Sequence, residues 1–176
     1  MAVETFKKLW RNEYFQTAIT FALIVTIVFM FFFGSQAILG TKYPALAVIS
    51  GSMLPTLNVG DLIIVQRVDP AQINARYITG DIVVYRRYDG SLIVHRAVKV
   101  ENKSDGYWIT TRGDINYGDD PPWPASALTG RVIAKIPYVG NFPLFIHTQE
   151  NMYILVVLMI LIIFIFTMLP FGTSNG

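Results

Sequence analysis

The sequence contains no cysteine. Thiol catalysis, thiolate metal sites and disulfide bonds are therefore excluded. An excess of charge of either sign is also missing, since residues 42–150 hold eleven basic and ten acidic side chains. This near-neutral mixture lacks the basic excess typical of nucleic-acid-binding domains. Histidine is scarce as well, so an imidazole base could come only from His95 or His147.

Charged residues are absent from Tyr14 to Thr41. A transmembrane helix needs about 20 mostly apolar residues, because lipid cannot satisfy open backbone groups. This run is long enough. A second charge-free run, from Met152 to Leu169, also qualifies, although its length is near the lower limit for a transmembrane helix. We therefore predict an N-terminal tail at 1–13, a transmembrane span at 14–39, a domain at 40–150, a second span at 151–170 and a C-terminal tail at 171–176.

The first apolar run also has features of a cleaved signal peptide. Lys7, Lys8 and Arg11 precede it, and Ser35-Gln36-Ala37 has the small residues of a cleavage site. The apolar core of a signal peptide is about 7–15 residues long. Because this run is longer, a retained anchor is favoured. The basic front predicts a cytoplasmic N-terminus and an extracytoplasmic domain in an integral membrane protein.

The segment between the two runs is predicted to be mostly β, a compact antiparallel domain anchored by an N-terminal and a C-terminal transmembrane helix. Its strand candidates are short, rich in β-branched residues and bounded by glycine or proline. They are Asp61–Val68, Asp81–Tyr88, Ser91–Glu101, Tyr107–Thr111 and Arg131–Ile136. Asp89-Gly90 and Asp105-Gly106 favour positive φ and predict turns. The prolines among residues 119–124 lack donors and predict a rigid loop there.

Ser52 lies in the string Ser50-Gly51-Ser52-Met53-Leu54-Pro55-Thr56, shortly after the first apolar run. A serine hydroxyl is a poor nucleophile until a base takes its proton. Small neighbours would let the backbone turn tightly and let a substrate approach. Taken alone, such a string is more often an ordinary turn ahead of a strand, so its meaning depends on the other blocks.

His95 is the better candidate base. It falls in a predicted strand, on the opposite face from Leu92 and Val94, and an imidazole can accept a proton and return it near neutral pH. A histidine that serves only the packing of the strand, without a catalytic role, is the alternative interpretation of this position. His147 precedes the second apolar run and has the setting of an interfacial residue. Lys99 shares the predicted strand face of His95 and is an alternative base.

Three aspartates could orient a histidine and stabilise its charged form, namely Asp114, Asp119 and Asp120. All three lie near glycine or proline. Aspartate in that setting more commonly forms a solvated turn. The residues alone do not distinguish among the three.

Four blocks in this order resemble signal peptidase I, and within that family the archaeal and endoplasmic-reticulum type. The blocks are Ser50–Thr56, Gly60–Val65, Gly80–Tyr85 with Ile93–Arg96, and Thr111–Asn116 followed by Asp119-Asp120. Each block is weak evidence by itself, whereas all four after an apolar run are strong evidence. The chain departs from the family pattern at Arg112, where lysine is common, and in its second span, which not all members have.

The resemblance implies a role for each candidate. Ser52 would be the nucleophile and its backbone N–H an oxyanion donor, with Ser50 as a neighbour of the oxyanion hole. His95 stands where the bacterial type has lysine and would be the base. Asp120 would be the triad acid, and Asp114 a further important aspartate of the catalytic site. The implied protein is a membrane-bound serine endopeptidase that removes signal peptides through an acyl-enzyme, without a metal or organic cofactor.

The implied partners are pre-proteins that carry signal peptides, membrane lipid and the protein translocation machinery, with no nucleic acid. The substrate would bind extended along a strand edge. A non-enzymatic membrane-anchored β domain, acting as an adaptor, explains the spans and strands but not Ser, His and Asp in this order. A peptidase with a serine–lysine pair that uses Lys99 is the other alternative.

Overall fold

The computed structural model describes residues 13–142. These residues belong to two units, one ending at Pro44 and the other beginning at Ala45. The predicted second span, the C-terminal tail and His147 lie outside the described residues, as do the basic residues that precede the first span.

The first unit contains helix α1, Glu13–Leu39. Its segment Ile19–Leu39 is long and apolar enough to cross a membrane, with 21 residues and a mean hydropathy of 2.3. Large apolar side chains, among them Phe21 and Met30, are exposed along it. A helix without a polar face suits a lipid environment better than water. The helix predicted from the first apolar run is confirmed, and Gly40 ends it with a φ of 64°.

Within the second unit, the structure describes a seven-stranded antiparallel sheet shaped as a half-barrel. Its strands are β1 Ala45–Ala47, β2 Leu62–Gln66, β3 Ile82–Arg86, β4 Leu92–Lys103, β5 Gly106–Arg112, β6 Trp123–Pro124 and β7 Leu128–Ile136. Their order across the sheet is β1-β2-β7-β3-β4-β5-β6. The predicted mostly β class is confirmed.

Both predicted turns join paired strands. Strands β3 and β4 pair up to Arg86 and Leu92, and the turn between them contains Gly90 with a φ of 85°. Strands β4 and β5 pair up to Lys103 and Gly106, and Gly106 has a φ of 117°. Positive φ is strained for residues with a side chain, so glycine allows these turns to be tight.

The sheet edges differ from the prediction. Strand β1 was not predicted, because three residues are too few to show a period of two. Trp123 and Pro124 pair with β5 although this segment was predicted to be a loop. Proline is tolerated there because β6 lies at the edge of the sheet, where no donor is required on the outer side.

A bulge in β4 overturns one expectation. Ala97 pairs with Thr111 and Lys99 pairs with Thr110, which leaves Val98 as an extra residue. The alternation of faces is reset there, so Lys99 lies on the opposite face from His95 rather than on the same one. Its side chain is 61% exposed and its Nζ lies 2.8 Å from a carboxylate oxygen of Glu101.

Two buried clusters pack on the described part of the domain. The first is Val48, Met53, Leu57, Ile63, Val65 and Val84. The second is Ile73, Val83, Tyr85, Ala97, Ile109 and Trp123. Met53 and Leu57, at 1% and 2% exposure, belong to the segment between β1 and β2. They anchor the segment that carries Ser52 in the apolar core.

Close packing of β7 against β2 provides a test of the fold. A Cβ on Gly130 would lie 2.4 Å from the backbone oxygen of Gln66, which cannot move aside as a flexible side chain could. Gly130→Ala should therefore lower the free energy of unfolding by about 1–3 kcal/mol. Denaturant unfolding of the full chain in detergent measures this change. Gly118→Ala is the control, since nothing lies within 4 Å of its Cβ, and equal stability of the two variants would contradict the described strand pairing.

Candidate active site

His95 and Asp120 form a hydrogen-bonded pair. His95 lies on β4, and Asp120 lies on the loop between β5 and β6. The distance from His95 Nδ1 to Asp120 Oδ2 is 2.6 Å, and the two side chains are 10% and 22% exposed. The Asp120 backbone N–H donates to the Thr111 carbonyl at 2.8 Å, which fixes the loop on β5. The structure thus brings together two of the predicted triad residues.

The charge on Asp120 sets the tautomer of His95. Burial acts to raise the pKa of Asp120, but hydrogen bonds from His95 and Thr111 outweigh it and hold that pKa below its ordinary value. An ionised carboxylate can only accept hydrogen bonds. His95 Nδ1 must therefore carry a proton, and in the neutral ring Nε2 is the atom that can act as a base.

Thr111 and Trp123 hold the Asp120 carboxylate in place through two successive hydrogen bonds. Thr111 Oγ1 donates to Asp120 Oδ2 at 2.7 Å, and Trp123 Nε1 donates to Thr111 Oγ1 at 3.2 Å. An indole nitrogen can only donate, so the hydroxyl proton of Thr111 is directed to the carboxylate. Trp123 stacks on Tyr85 with ring centroids 4.2 Å apart. Sequence reasoning missed this chain of contacts, because nothing local relates Thr111 to Trp123.

Asp114 pairs with Arg96 and not with His95. Arg96 Nε and Nη2 donate to Asp114 Oδ1 and Oδ2, both at 2.7 Å. The Thr56 hydroxyl donates to the same carboxylate. Burial acts to raise the pKa of Asp114, but the bonds from Arg96 and Thr56 outweigh it and lower the pKa below its ordinary value. Within residues 13–142, no hydrogen bond joins Asp114 to His95.

Ser52 lies between β1 and β2, against the loop that follows β5. The Ser52 carbonyl accepts a hydrogen bond from the Ile115 N–H at 3.1 Å. A Cβ on Gly113 would lie 2.7 Å from the same carbonyl oxygen, so this close approach requires glycine. The loop that carries Asp114 and Asp120 therefore supports the backbone of the candidate nucleophile.

The Ser52 hydroxyl is paired with Ser50 rather than with the base. Ser52 Oγ and Ser50 Oγ are 3.4 Å apart. Among the hydrogen bonds of the described residues, none joins Ser52 to His95. Catalytic hydrogen bonds are often long in unliganded enzymes and tighten when substrate binds. The structure thus supplies a histidine–aspartate pair and a serine pair on neighbouring segments.

The remaining candidates lie at the surface of the domain. Asp119 is 50% exposed, and its Oδ1 lies 3.6 Å from Arg112 Nη1.

In the described part of the chain, no group of three potential ligands could hold a metal ion. A cleft of about 260 Å³ opens beside Arg96 and Asp114. Its other lining residues are Pro55, Thr56, Tyr77, Ile78, Arg112, Gly113 and Asn116.

A β domain that follows an apolar helix, with a serine loop and a partly buried histidine–aspartate pair, has the features of a membrane-associated serine peptidase. The signal peptidase complex catalytic subunit sec11 of Dictyostelium discoideum is 29% identical over 160 residues, 85% of this chain and 87% of that protein. The catalytic subunit SEC11C of Homo sapiens is 32% identical over 146 residues, 76% of this chain and 73% of that protein.

The catalytic subunit SEC11 of Fusarium vanettenii is 33% identical over 129 residues, 68% of this chain and 73% of that protein. A scan against protein-family models gave no match. The similarity to the three subunits nevertheless covers most of each protein. The chain belongs to the signal peptidase I family, in the type represented by the catalytic subunits of signal peptidase complexes.

Acid should destabilise the β domain through Asp114 and Asp120. Both carboxyls have a lowered pKa in the folded protein, relative to an ordinary value of about 3.9. Their stabilising contribution is therefore complete above that value and is lost as the pH falls through the lower folded value. Denaturant unfolding at a series of pH values from neutral downwards measures the effect.

Asp114→Asn and Asp120→Asn should each lower the free energy of unfolding at neutral pH and weaken its dependence on acid. Asp119→Asn is the control, because its carboxylate is half exposed on the same loop. An acid dependence in the first two variants as steep as in the wild type would mean that these two carboxylates do not stabilise the fold through their hydrogen bonds.

Proposed function

We propose that this chain is a serine endopeptidase that removes signal peptides from pre-proteins, with Ser52 as nucleophile, His95 as base and Asp120 as the orienting acid. The observation that carries the proposal is the partly buried hydrogen bond between His95 Nδ1 and Asp120 Oδ2. It leaves His95 Nε2 as the proton acceptor. The catalytic subunits to which the chain is similar are named for the same activity.

In the first half of the reaction, Ser52 Oγ attacks the carbonyl carbon at the end of the signal peptide, and His95 Nε2 takes the hydroxyl proton. Asp120 stabilises the imidazolium that results. The tetrahedral intermediate collapses when His95 returns the proton to the leaving amine. The mature protein departs, and the signal peptide remains as an ester on Ser52.

In the second half, water attacks the ester carbonyl while His95 Nε2 takes a proton from it. Collapse of this intermediate returns the proton to Ser52 Oγ and releases the carboxylate of the signal peptide. The Ser52 backbone N–H would donate to the oxyanion in both halves, with the neighbouring Ser50 as a second contributor. One donor of this kind contributes roughly 3–4 kcal/mol to transition-state stabilisation.

The position of Lys99 argues against the serine–lysine alternative. Its side chain is 61% exposed and paired with Glu101, on the strand face opposite to His95. We assign the base to His95.

We also propose the setting in which the enzyme works. The N-terminus would be cytoplasmic and the β domain extracytoplasmic, with the Ser52 site within 13 residues of the end of α1. Pre-proteins would bind extended along a sheet edge near the membrane lipid, in association with the translocation machinery. Since the similar proteins are named as subunits of a complex, we propose that this chain also works with partner subunits.

Ser52→Ala tests the reaction directly. Removal of the nucleophile should lower the rate of pre-protein cleavage by roughly 10⁴-fold or more, because the covalent route is lost. Cleavage is measured with the full chain and its co-purifying subunits in detergent. Lys99→Ala is the control and should keep near wild-type turnover. Cleavage by Ser52→Ala at the wild-type rate would contradict the serine mechanism, and loss of cleavage in Lys99→Ala alone would transfer the base to that lysine.

Thiol labelling tests the proposed orientation, and the lack of native cysteine makes it specific. Ser104→Cys places a thiol in the exposed turn between β4 and β5. In sealed cells or vesicles, an impermeant reagent should label it only from the extracytoplasmic side. Thr5→Cys, in the N-terminal tail, is the matched variant and should label only from the cytoplasmic side. The reverse pattern would overturn the proposed topology.

A further inference from the structure

A half-buried ion pair connects the segments that carry the candidate nucleophile and the candidate base. We propose that Arg96, Asp114 and Thr56 are positioning residues, which together form a clamp that sets Ser52 relative to His95. The inference rests on the proposed roles of Ser52 and His95. It gives Asp114, expected from the sequence to be catalytic, a role that acts through other residues.

The guanidinium of Arg96 is the centre of the clamp. Its Nε and Nη2 bind both oxygens of Asp114 at 2.7 Å, and its Nη1 donates to the Gly80 carbonyl at 2.8 Å. The Arg96 and Asp114 side chains are only 12% and 15% exposed. Arginine presents donors in a rigid planar fork that matches a carboxylate, so the geometry of this pair is narrowly defined. Because Arg96 directly follows His95 on β4, fixing its side chain also fixes the strand at the base.

Thr56 connects the clamp to the nucleophile segment. Its hydroxyl donates a hydrogen bond to Asp114 Oδ2 and accepts one from Arg96 Nη2 at 3.3 Å. Its carbonyl accepts a hydrogen bond from Lys135 Nζ, on β7, at 2.7 Å. The side chain and the backbone of one residue are thus held from two directions.

The turn that contains Ser52 is held at both of its ends. At one end the Ser52 carbonyl accepts from the Ile115 N–H, and at the other the Thr56 hydroxyl donates to Asp114. Ile115 and Asp114 are adjacent in one loop. Around Ser52 the Leu54 N–H donates to the Gly51 carbonyl at 3.1 Å, and in the following turn the Leu57 N–H donates to the Met53 carbonyl at 2.8 Å. A shift at Thr56 would therefore reach Ser52 through a few hydrogen-bonded residues.

Positioning explains this arrangement better than stability does. Taking an ion pair out of water carries a desolvation penalty that offsets much of its Coulomb energy, so such a pair adds little stability relative to an apolar replacement of both partners, although loss of one partner, as in Asp114→Asn, destabilises the fold. Such pairs do impose a defined geometry, since an unpaired partner would be strongly unfavourable. For a reaction in which a displacement of about 1 Å can lower the rate a hundredfold, a defined geometry matters more.

Thr56→Val removes the hydroxyl and keeps the shape, whereas Thr56→Ser keeps the hydroxyl. Thr129→Val is a matched control, because Thr129 is also half-buried and makes no side-chain hydrogen bond within residues 13–142. The measurement is single-turnover cleavage of a pre-protein by excess enzyme, with full chain and co-purifying subunits. The plateau rate constant at saturation reports the chemical step and does not depend on the fraction of enzyme that is folded. The half-saturating concentration reports binding and the active fraction.

Thr56→Val should lower the plateau rate constant by about ten- to a hundredfold and leave the half-saturating concentration unchanged. Thr56→Ser and Thr129→Val should stay near the wild type. Arg96→Lys, which keeps the charge but loses the fork, should lower the plateau in the same way.

Three results would overturn the clamp. They are a wild-type plateau in Thr56→Val, an equal loss in Thr56→Ser, and a change confined to the half-saturating concentration, which would indicate a folding defect alone. Cleavage by the wild type that Ser52→Ala does not reduce would instead refute the proposed function, so the two failures are distinguishable.

Discussion

The alternation of side chains along β4 is the constraint on which the site depends. Neighbouring residues of a strand project to opposite faces. His95 and Arg96 are such neighbours, and each binds a different aspartate of the same loop, Asp120 and Asp114 respectively. One loop thus supplies both carboxylates, and the strand decides which one acts on the candidate base. A shift of register by one residue would exchange the two faces and abolish both pairs.

The two aspartates also show how one loop can hold two carboxylates in ionised form. Burial opposes ionisation of both, and in each case specific donors outweigh burial and lower the pKa. Arg96 neutralises Asp114 with a full charge. Besides His95, the side chains of the described residues that donate to Asp120 are the neutral hydroxyls of Thr111 and Tyr85, so its charge remains available to stabilise an imidazolium. This difference in partners is the physical basis for assigning orientation of the base to Asp120 and positioning of the loop to Asp114.

Much of the fold follows from local sequence signals. The turns at Gly90 and Gly106 were predictable because glycine relieves positive φ, and the face of His95 was predictable from a period of two. Strand β1 was not, since it is recognised only by its partner β2. The position of Lys99 was predicted wrongly because the bulge at Val98 interrupts the period, and no residue type in that strand marks a bulge.

The sequence named the members of the candidate site but not their contacts. The resemblance named Ser52, His95 and Asp120 and placed Asp114 near them, but the residues alone could not separate three aspartates. Arg96 and Thr56 were present in the matched blocks without an assigned role. Their contact with Asp114 joins positions 18 and 58 residues away along the chain. Such pairings depend on how the sheet closes, which local patterns do not encode.

The direction of the hydrogen bonds is what favours an enzyme over a binding module. A β domain that only recognises a partner could bury Asp120 against any donor. Here Trp123 Nε1 can only donate, so the Thr111 hydroxyl accepts from it and donates its own hydrogen bond to Asp120. The ionised carboxylate in turn accepts a hydrogen bond from His95, which requires the imidazole proton to be on Nδ1. The sequence of donors and acceptors ends at the other imidazole nitrogen, Nε2, to which no hydrogen bond is made within residues 13–142. A series of contacts that prepares a single proton acceptor is what the proposed reaction requires, whereas an adaptor surface has no use for it.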